Sequence, residues 1–175
     1  GQSLTDHEGE FIVDKERAAR VQVALDYIHQ VKNLGFRVLS ESRVDPAFLL
    51  GRTDLSGTVD VQIIGNGVLE LIDYKDGMAP VDAKGNMQLE QYAYGVLAGY
   101  KLPVNGAYPF DTVRMTIIQP KLAMKNMNPI SSFDVSVRDL MANIGTIVKQ
   151  AAATDAPDAP LVPGESQCKY CRAKG

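Results

Sequence analysis

The stretch from Gly57 to Gly77, GTVDVQIIGNGVLELIDYKDG, constrains this chain more than any other. Val59, Val61 and Ile63 alternate with Thr58, Asp60 and Gln62, and Val68 to Lys75 forms a second, more apolar run. Asn66-Gly67 between them is a strong hairpin signal, because a two-residue type I′ loop needs positive φ at both central positions. Such a loop sets Gly65 opposite Val68, and therefore Asp60 opposite Asp73 and Thr58 opposite Lys75. Alternation then projects Asp60, Asp73 and Lys75 from one sheet face. Directly opposed residues have Cβ atoms only ~5 Å apart, where like charges destabilise, and a divalent cation between the carboxylates would relieve that repulsion. Mg²⁺ and Mn²⁺ take hard oxygen ligands, typically one or two carboxylates plus substrate phosphate. Lys75 is then placed to orient a water or to neutralise charge developing on a phosphoryl group. The alternative is a solvated surface of Asp60–Lys75 or Asp73–Lys75 ion pairs with little energetic weight. The apolar flank VLELIDYK argues against so exposed an edge.

The remaining chain supplies elements to cover such a hairpin. Residues 1–10 are polar and without period, and read as a lead-in. Ala18, Val21, Leu25, Ile28 and Val31 recur at three or four, predicting an amphipathic helix from about Asp14, a plausible N-cap, to Asn33, with Gly35 as its stop. Phe36 to Val44 suits a strand, ended by Asp45-Pro46. Met87 to Tyr100 reads as a helix with Leu89, Ala93, Val96 and Leu97 facing a core. Thr112 to Ile118 is a strand closed by Pro120, and Val137 to Ala153 is a second long helix. The order α-β-β-β-α-β-α predicts an α/β or α+β domain. On the helix after the hairpin, Gln88 and Tyr92 stand at i and i+4 on one face. An amide and a phenol so placed can bind a phosphate, a nucleobase edge or Lys75; the plainer reading is a surface tyrosine with its hydroxyl in water.

Charge and cysteine content narrow the function classes. The net charge of −3 gives no global basic field, so a polyanion has to be held by a local patch or by metal ions. Lys84, Arg114, Lys121, Lys125, Lys169 and Arg172 are the candidate contacts. No apolar run approaches the ~18 residues of a membrane span, nor does the start read as a basic-then-apolar signal. Two cysteines exclude a disulfide framework and make the cytosol the default compartment.

Gly57-Thr-Val-Asp60, then Asp73-Tyr-Lys75, then Gln88-Leu-Glu-Gln-Tyr92 resembles the PD-(D/E)XK nuclease superfamily in its RecB-like branch, where G-x-x-D, (D/E)-x-K and Q-x-x-x-Y follow in this order. The likeness is closer to a phage-encoded RecB-like family known as a domain of unknown function. It shares a tract of the type IDYK-G, N-Q, YA-G, a QP after the fourth strand and a C-terminal C-x-x-C-x-A-K. It spans roughly Val13 to Lys174. The resemblance implies a restriction-endonuclease-like α-β-β-β-α-β core, a central mixed sheet flanked by helices, over residues 11–153. A Pro-rich linker and Cys-x-x-Cys tail would occupy 154–175. It further implies Asp60, Asp73 and the backbone carbonyl of Tyr74 as metal ligands, Lys75 as the catalytic lysine, and Gln88 and Tyr92 as support for the site or the DNA. Glu41 is a candidate third carboxylate, set against an exposed strand glutamate beside Arg43.

Two departures from the pattern stand out. RecB-like nucleases usually present a His or Glu from an N-terminal helix; His7 and Glu8 do not match, and His29 reads as an ordinary helix residue. Relatives often hold an iron–sulfur cluster on four cysteines, whereas Cys168 and Cys171 are the only two here. Both gaps would fit a chain trimmed at each end, with a [4Fe–4S] cluster belonging to a longer protein. A zinc ion, a disulfide or free thiols are the alternatives for this pair.

The expected function is therefore a Mg²⁺- or Mn²⁺-dependent deoxyribonuclease, an exonuclease by family analogy. Its partner would be DNA, with a second copy or a phage recombination or replication protein as further candidates, in the cytoplasm of an infected bacterium. The rival is an inactive DNA-binding or assembly module on the same fold, favoured by the missing N-terminal motif. A metal-dependent phosphatase or transferase would need a small-molecule pocket that the residues do not reveal.

Overall fold

Asn66 and Gly67 both take positive φ, 51° and 75°, as a type I′ loop demands. The strands they join, β4 (Gly57–Gly65) and β5 (Val68–Tyr74), pair in the expected register, Gly65 to Val68 through Val61 to Ile72. In this computed structural model, which describes residues 2–6, 9–102, 107–160, 162–164 and 168–169, the hairpin is the centre of a five-stranded mixed sheet. β3 (Arg37–Val44) flanks β4 antiparallel. On the other side β6 (Thr112–Ile118) runs parallel to β5, and β7 (Ile130–Ser136) closes the sheet antiparallel to β6. The strand order is β3-β4-β5-β6-β7.

Helices cover both faces. α1 (Lys15–Lys32) lies on one; α3 (Met87–Gly99) and α4 (Val137–Thr154) lie on the other, with a short α2 (Ala47–Leu50) between β3 and β4. Caps are where the residue types place them: Asp14 accepts from the Arg17 N–H at 2.7 Å, Asn86 from Leu89 at 3.1 Å and Ser136 from Asp139 at 3.0 Å. The larger core lies on the α3–α4 side, where Val59, Leu69, Leu71, Leu89, Leu97, Val113 and Ile117 are each no more than 1% exposed. The order α-β-β-β-α-β expected for the core is present, so the fold is α+β with a central mixed sheet flanked by helices. No helix among the described residues is long and apolar enough to cross a membrane.

Three features differ from the sequence reading. The first residues are not a structureless lead-in, because β1 (Gln2–Asp6) and β2 (Gly9–Val13) pair as a separate antiparallel hairpin. β7 is an additional strand in a polar segment, following a 3₁₀ turn over Pro120–Lys125. Finally, α1 docks through a shifted stripe. Ile28 and Val31 pack against the sheet as expected, joined by Ala24 and Tyr27, whereas Val21 and Leu25 are 47% and 39% exposed. Two polar anchors account for that rotation: the Tyr27 hydroxyl donates to Glu70 at 2.6 Å, and Arg20 pairs with Asp76 at 2.9 Å.

Candidate active site

The two central strands change their packing at one step. Val59 packs into the α3-side core, whereas Val61 and Ile63, of the same parity, pack toward α1. Opposite that step in β3, Glu41 has φ 48°, and the ladder pairs Ser40 with Val61 and Ser42 with Val59 without a Glu41–Asp60 pair. The pleat is therefore interrupted at Asp60. The paired ladder with β5 stops at Val61–Ile72, short of the expected Asp60–Asp73 and Thr58–Lys75 pairs. Half-buried Asp60 turns its carboxylate onto the end of β5 instead, where Oδ2 accepts the Tyr74 N–H at 2.8 Å. Glu41 is exposed. No set of three or more His, Cys, Asp or Glu side chains able to hold a metal occurs among the described residues, so Glu41 does not join Asp60 and Asp73 as a third carboxylate.

Asp73 is 4% exposed. Its Oδ1 accepts from the Gln88 amide at 3.2 Å, and its Oδ2 lies 2.8 Å from the Lys75 ammonium. The Lys75 ammonium is the one partner of the buried Oδ2 among the described residues. Burial pushes the Asp73 carboxyl above the usual carboxylate range; Lys75 opposes the rise and the nearby charge of Asp60 adds to it. Lys75 Nζ also donates to Gln88 Oε1 at 3.0 Å, and Gln88 Nε2 donates in turn to the Tyr92 hydroxyl at 2.9 Å. Asp73, Lys75, Gln88 and Tyr92 thus form one hydrogen-bonded group on the α3 side, with Asp60 at its edge.

The Tyr74 peptide is aimed by its neighbours. Lys75 N–H donates to Ile118 O at 2.9 Å, toward β6. In a trans peptide the carbonyl points opposite to the N–H that follows it, so Tyr74 C=O points toward β4 and Asp60. The Asp73 carboxylate, the Asp60 carboxylate and this carbonyl are three hard oxygen donors around one strand end. That donor chemistry fits Mg²⁺ or Mn²⁺, both of which keep several waters and need few protein ligands.

The other residues of the tract have structural reasons for their identity. A Cβ on Gly57 would lie 2.5 Å from the Tyr92 ring, and one on Gly95 2.7 Å from Val44 Cβ. Gly57 therefore lets Tyr92 lie across the start of β4. Asn86 caps α3 and so fixes where Gln88 begins its turn. Gln119, 1% exposed, accepts from Val81 N–H at 2.9 Å and donates to Ala79 O at 2.8 Å and Gly77 O at 3.3 Å, stapling the loop after Lys75. Asp76 receives Arg20 from α1 at 2.9 Å and Lys121 at 3.0 Å, and these cations hold its carboxyl below the usual range. The roles of Gln119, Arg20 and Asp76 were not read from the sequence; a glutamine between an apolar strand and a proline was the one signal available.

The basic candidates are dispersed and occupied. Arg114 makes a two-pronged pair with Asp134 at 2.7 Å, Lys121 binds Asp76, Lys125 donates to Met78 O, and Lys84 stands 5.8 Å from the Phe133 ring centre. Lys169 is engaged as well. Arg172 and Cys171 lie outside the described residues, whereas Cys168 is half-buried with a free thiol. His29 is an exposed residue of α1, and His7 and Glu8 lie outside the described residues.

A family model described as a protein of unknown function, DUF2800, matches residues 3–175. The chain belongs to that family.

Proposed function

We propose that this protein is a metal-dependent DNA nuclease that hydrolyses phosphodiester bonds, acting as an exonuclease on DNA ends. The observation carrying this reading is the buried Asp73 carboxylate, ion-paired to the Lys75 ammonium at 2.8 Å and grouped with Gln88 and Tyr92. A carboxylate whose titration is perturbed by burial and by a specific charge partner marks a functional-site candidate. Asp60, Asp73 and the Tyr74 carbonyl would hold Mg²⁺ or Mn²⁺. A bound divalent ion supplies Lewis-acid polarisation of a phosphoryl oxygen and a water acidic enough to attack near neutral pH.

The chain's own side chains supply the rest. Lys75, on leaving Asp73, carries its charge to the scissile phosphate and offsets the negative charge that grows there. Gln88 holds the ammonium by Oε1 and Asp73 by Nε2, so it fixes the distance between cation and carboxylate. Tyr92 anchors that amide from the next turn. On this reading the protein would act in the cytoplasm of a phage-infected bacterium, and Cys168 and Cys171 would be candidate ligands of a [4Fe–4S] cluster.

One observation favours an inactive DNA-binding or assembly module on this fold: Lys75 and Asp73 already neutralise one another. Incubation of end-labelled linear DNA with purified protein and Mn²⁺ separates the two. Stepwise loss of terminal nucleotides, abolished by EDTA and by Lys75→Ala, is expected; DNA binding with no cleavage by wild type would establish the module.

A further inference from the structure

One sizeable cavity has no part in the hydrolysis just described. A pocket of about 460 Å³ opens between the start of α3, the Leu50–Leu55 segment and the end of α4. Its walls are mainly apolar, formed by Leu50, Leu55, Met87, Tyr94 and Ile147, and Gln88 is one of its sides. Met87, Gln91 and Tyr94 form the stripe of α3 that faces this pocket, at i, i+4 and i+7. Gln88 and Tyr92 form the adjacent stripe, which faces Asp73 and Lys75. Gln88 therefore borders both spaces, and one amide side chain separates the pocket from the catalytic lysine.

We propose that this pocket seats one unstacked nucleobase of the strand whose phosphate is cleaved, an inference that rests on the nuclease reading above. The volume lies in the range of small-molecule sites and admits a base but not a duplex. Leu55, Met87 and Ile147 give apolar contact to the flat faces that a base exposes when it leaves the stack, over a floor that includes the buried Tyr94. Polar atoms sit at the border: the Glu90 carboxylate, the Gln150 amide, and Gln91, whose Nε2 is committed to Leu55 O so that its Oε1 is left to accept. Among the described residues no lysine or arginine lines the pocket, so it suits a neutral base, while the phosphate belongs at Lys75. A base hangs one sugar away from its phosphate, and Gln88 is the one side chain that both lines the pocket and bonds Lys75. The substrate implied is a frayed or single-stranded end, since pairing must be broken before a base can enter.

Ala151→Trp fills the pocket from α4 and leaves Asp60, Asp73, Lys75 and Gln88 unsubstituted, and Ile147→Trp replaces it if that variant does not fold. Because the tryptophan packs against Gln88, the readout is the ratio of rates on the two substrates rather than the rate itself. Linear DNA is prepared with its three terminal nucleotides at each end either normal or abasic, and Mn²⁺-dependent cleavage is followed. Wild type is expected to cut the normal ends about tenfold faster, and the tryptophan variant to cut both at the abasic rate. Equal wild-type rates on the two substrates, or a preference that survives in a folded tryptophan variant, would overturn the pocket while leaving the nuclease intact. Binding of 2-aminopurine-ended DNA to the Lys75→Ala protein gives a readout independent of cleavage. Brightening on binding, lost when Ala151→Trp is added, supports base seating even if wild type proves to cut neither substrate and the nuclease reading falls. Absence of brightening in that case removes both.

Discussion

Glu70 and Asp73 stand three residues apart on β5, and each is 4% exposed, yet they are served in opposite ways. Glu70 faces α1, where the Tyr27 and Thr116 hydroxyls both donate to its Oε1 at 2.6 Å. Ser132 extends that network, 3.0 Å from Thr116 Oγ1. The Tyr27 phenol is pushed up to about 12, first by burial and then by its bond to Glu70. Asp73 faces α3 with a longer amide contact at one oxygen and an ion pair to the partly exposed Lys75 ammonium at the other. A buried network closed by short hydroxyl bonds fixes one packing; a carboxylate held by a partly exposed cation can exchange that partner for another. The comparison assigns Glu70 to the docking of α1 and Asp73 to chemistry.

Activity should break along that line. Lys75→Ala is expected to lower Mn²⁺-dependent DNA cleavage on the order of 10²–10³-fold while retaining Mn²⁺ binding in calorimetry, because the proposed ligands are oxygens. Asp73→Ala should lose both. Glu70→Gln, on the other face, should leave cleavage within a few-fold of wild type. Equal loss of cleavage in Glu70→Gln and Lys75→Ala, with both folded, would erase the distinction between the two acids.

Stability should break the opposite way. Thr116→Val removes a hydroxyl donor from a buried carboxylate, and hydrogen bonds to charged groups contribute about 1.5–3 kcal/mol. Thermal unfolding should show a drop of several degrees with cleavage per folded molecule unchanged. Gly57→Ala is expected to cost about 1–3 kcal/mol by overpacking, because its Cβ would meet the Tyr92 ring at 2.5 Å. Unlike Thr116→Val it should also reduce cleavage, since Tyr92 would have to shift and Gln88 with it. A Gly57→Ala protein with normal activity would detach Tyr92 from the site.

What could be read from the residues followed local rules. Asn66-Gly67 set the register of the central hairpin, and the Asp14 cap and the core stripe of α3 stand where their types and spacing place them. Asp73, Lys75, Gln88 and Tyr92 come together because a hairpin end and the first turns of the next helix are close in sequence. The displacement of Asp60 from its ladder was not legible, since it depends on the positive φ of Glu41 in a neighbouring strand. Nor was the face that α1 buries: Tyr27–Glu70 and Arg20–Asp76 join residues far apart in the chain, and they outweigh the nearer apolar stripe through Val21 and Leu25. β1 and β7 were missed because QSLTD and ISSFDVS carry too few apolar residues to mark a strand on a one-sided sheet edge.

The smallest expected effect sharpens the comparison most, because it predicts a gain. Burial raises the Asp73 carboxyl above its unfolded value, so between those two values the folded protein binds more protons than the unfolded one. Stability from this group therefore falls as pH rises from about 4, the unfolded aspartate value, through the folded value, and stays at the lower level above it. Asp73→Asn removes the titration and keeps an oxygen for the Gln88 amide. Without metal it should have a higher Tm than wild type at pH 7, with the difference vanishing below about pH 4. Added Mn²⁺ should reverse the order, raising the Tm of wild type and leaving the variant unmoved, since an ion that binds only the folded state stabilises only the protein that can hold it. Scanning fluorimetry across pH, with and without Mn²⁺, measures both. A variant less stable than wild type at every pH would mean that the Lys75–Asp73 pair holds the fold together, and that Asp73, like Glu70, is structural.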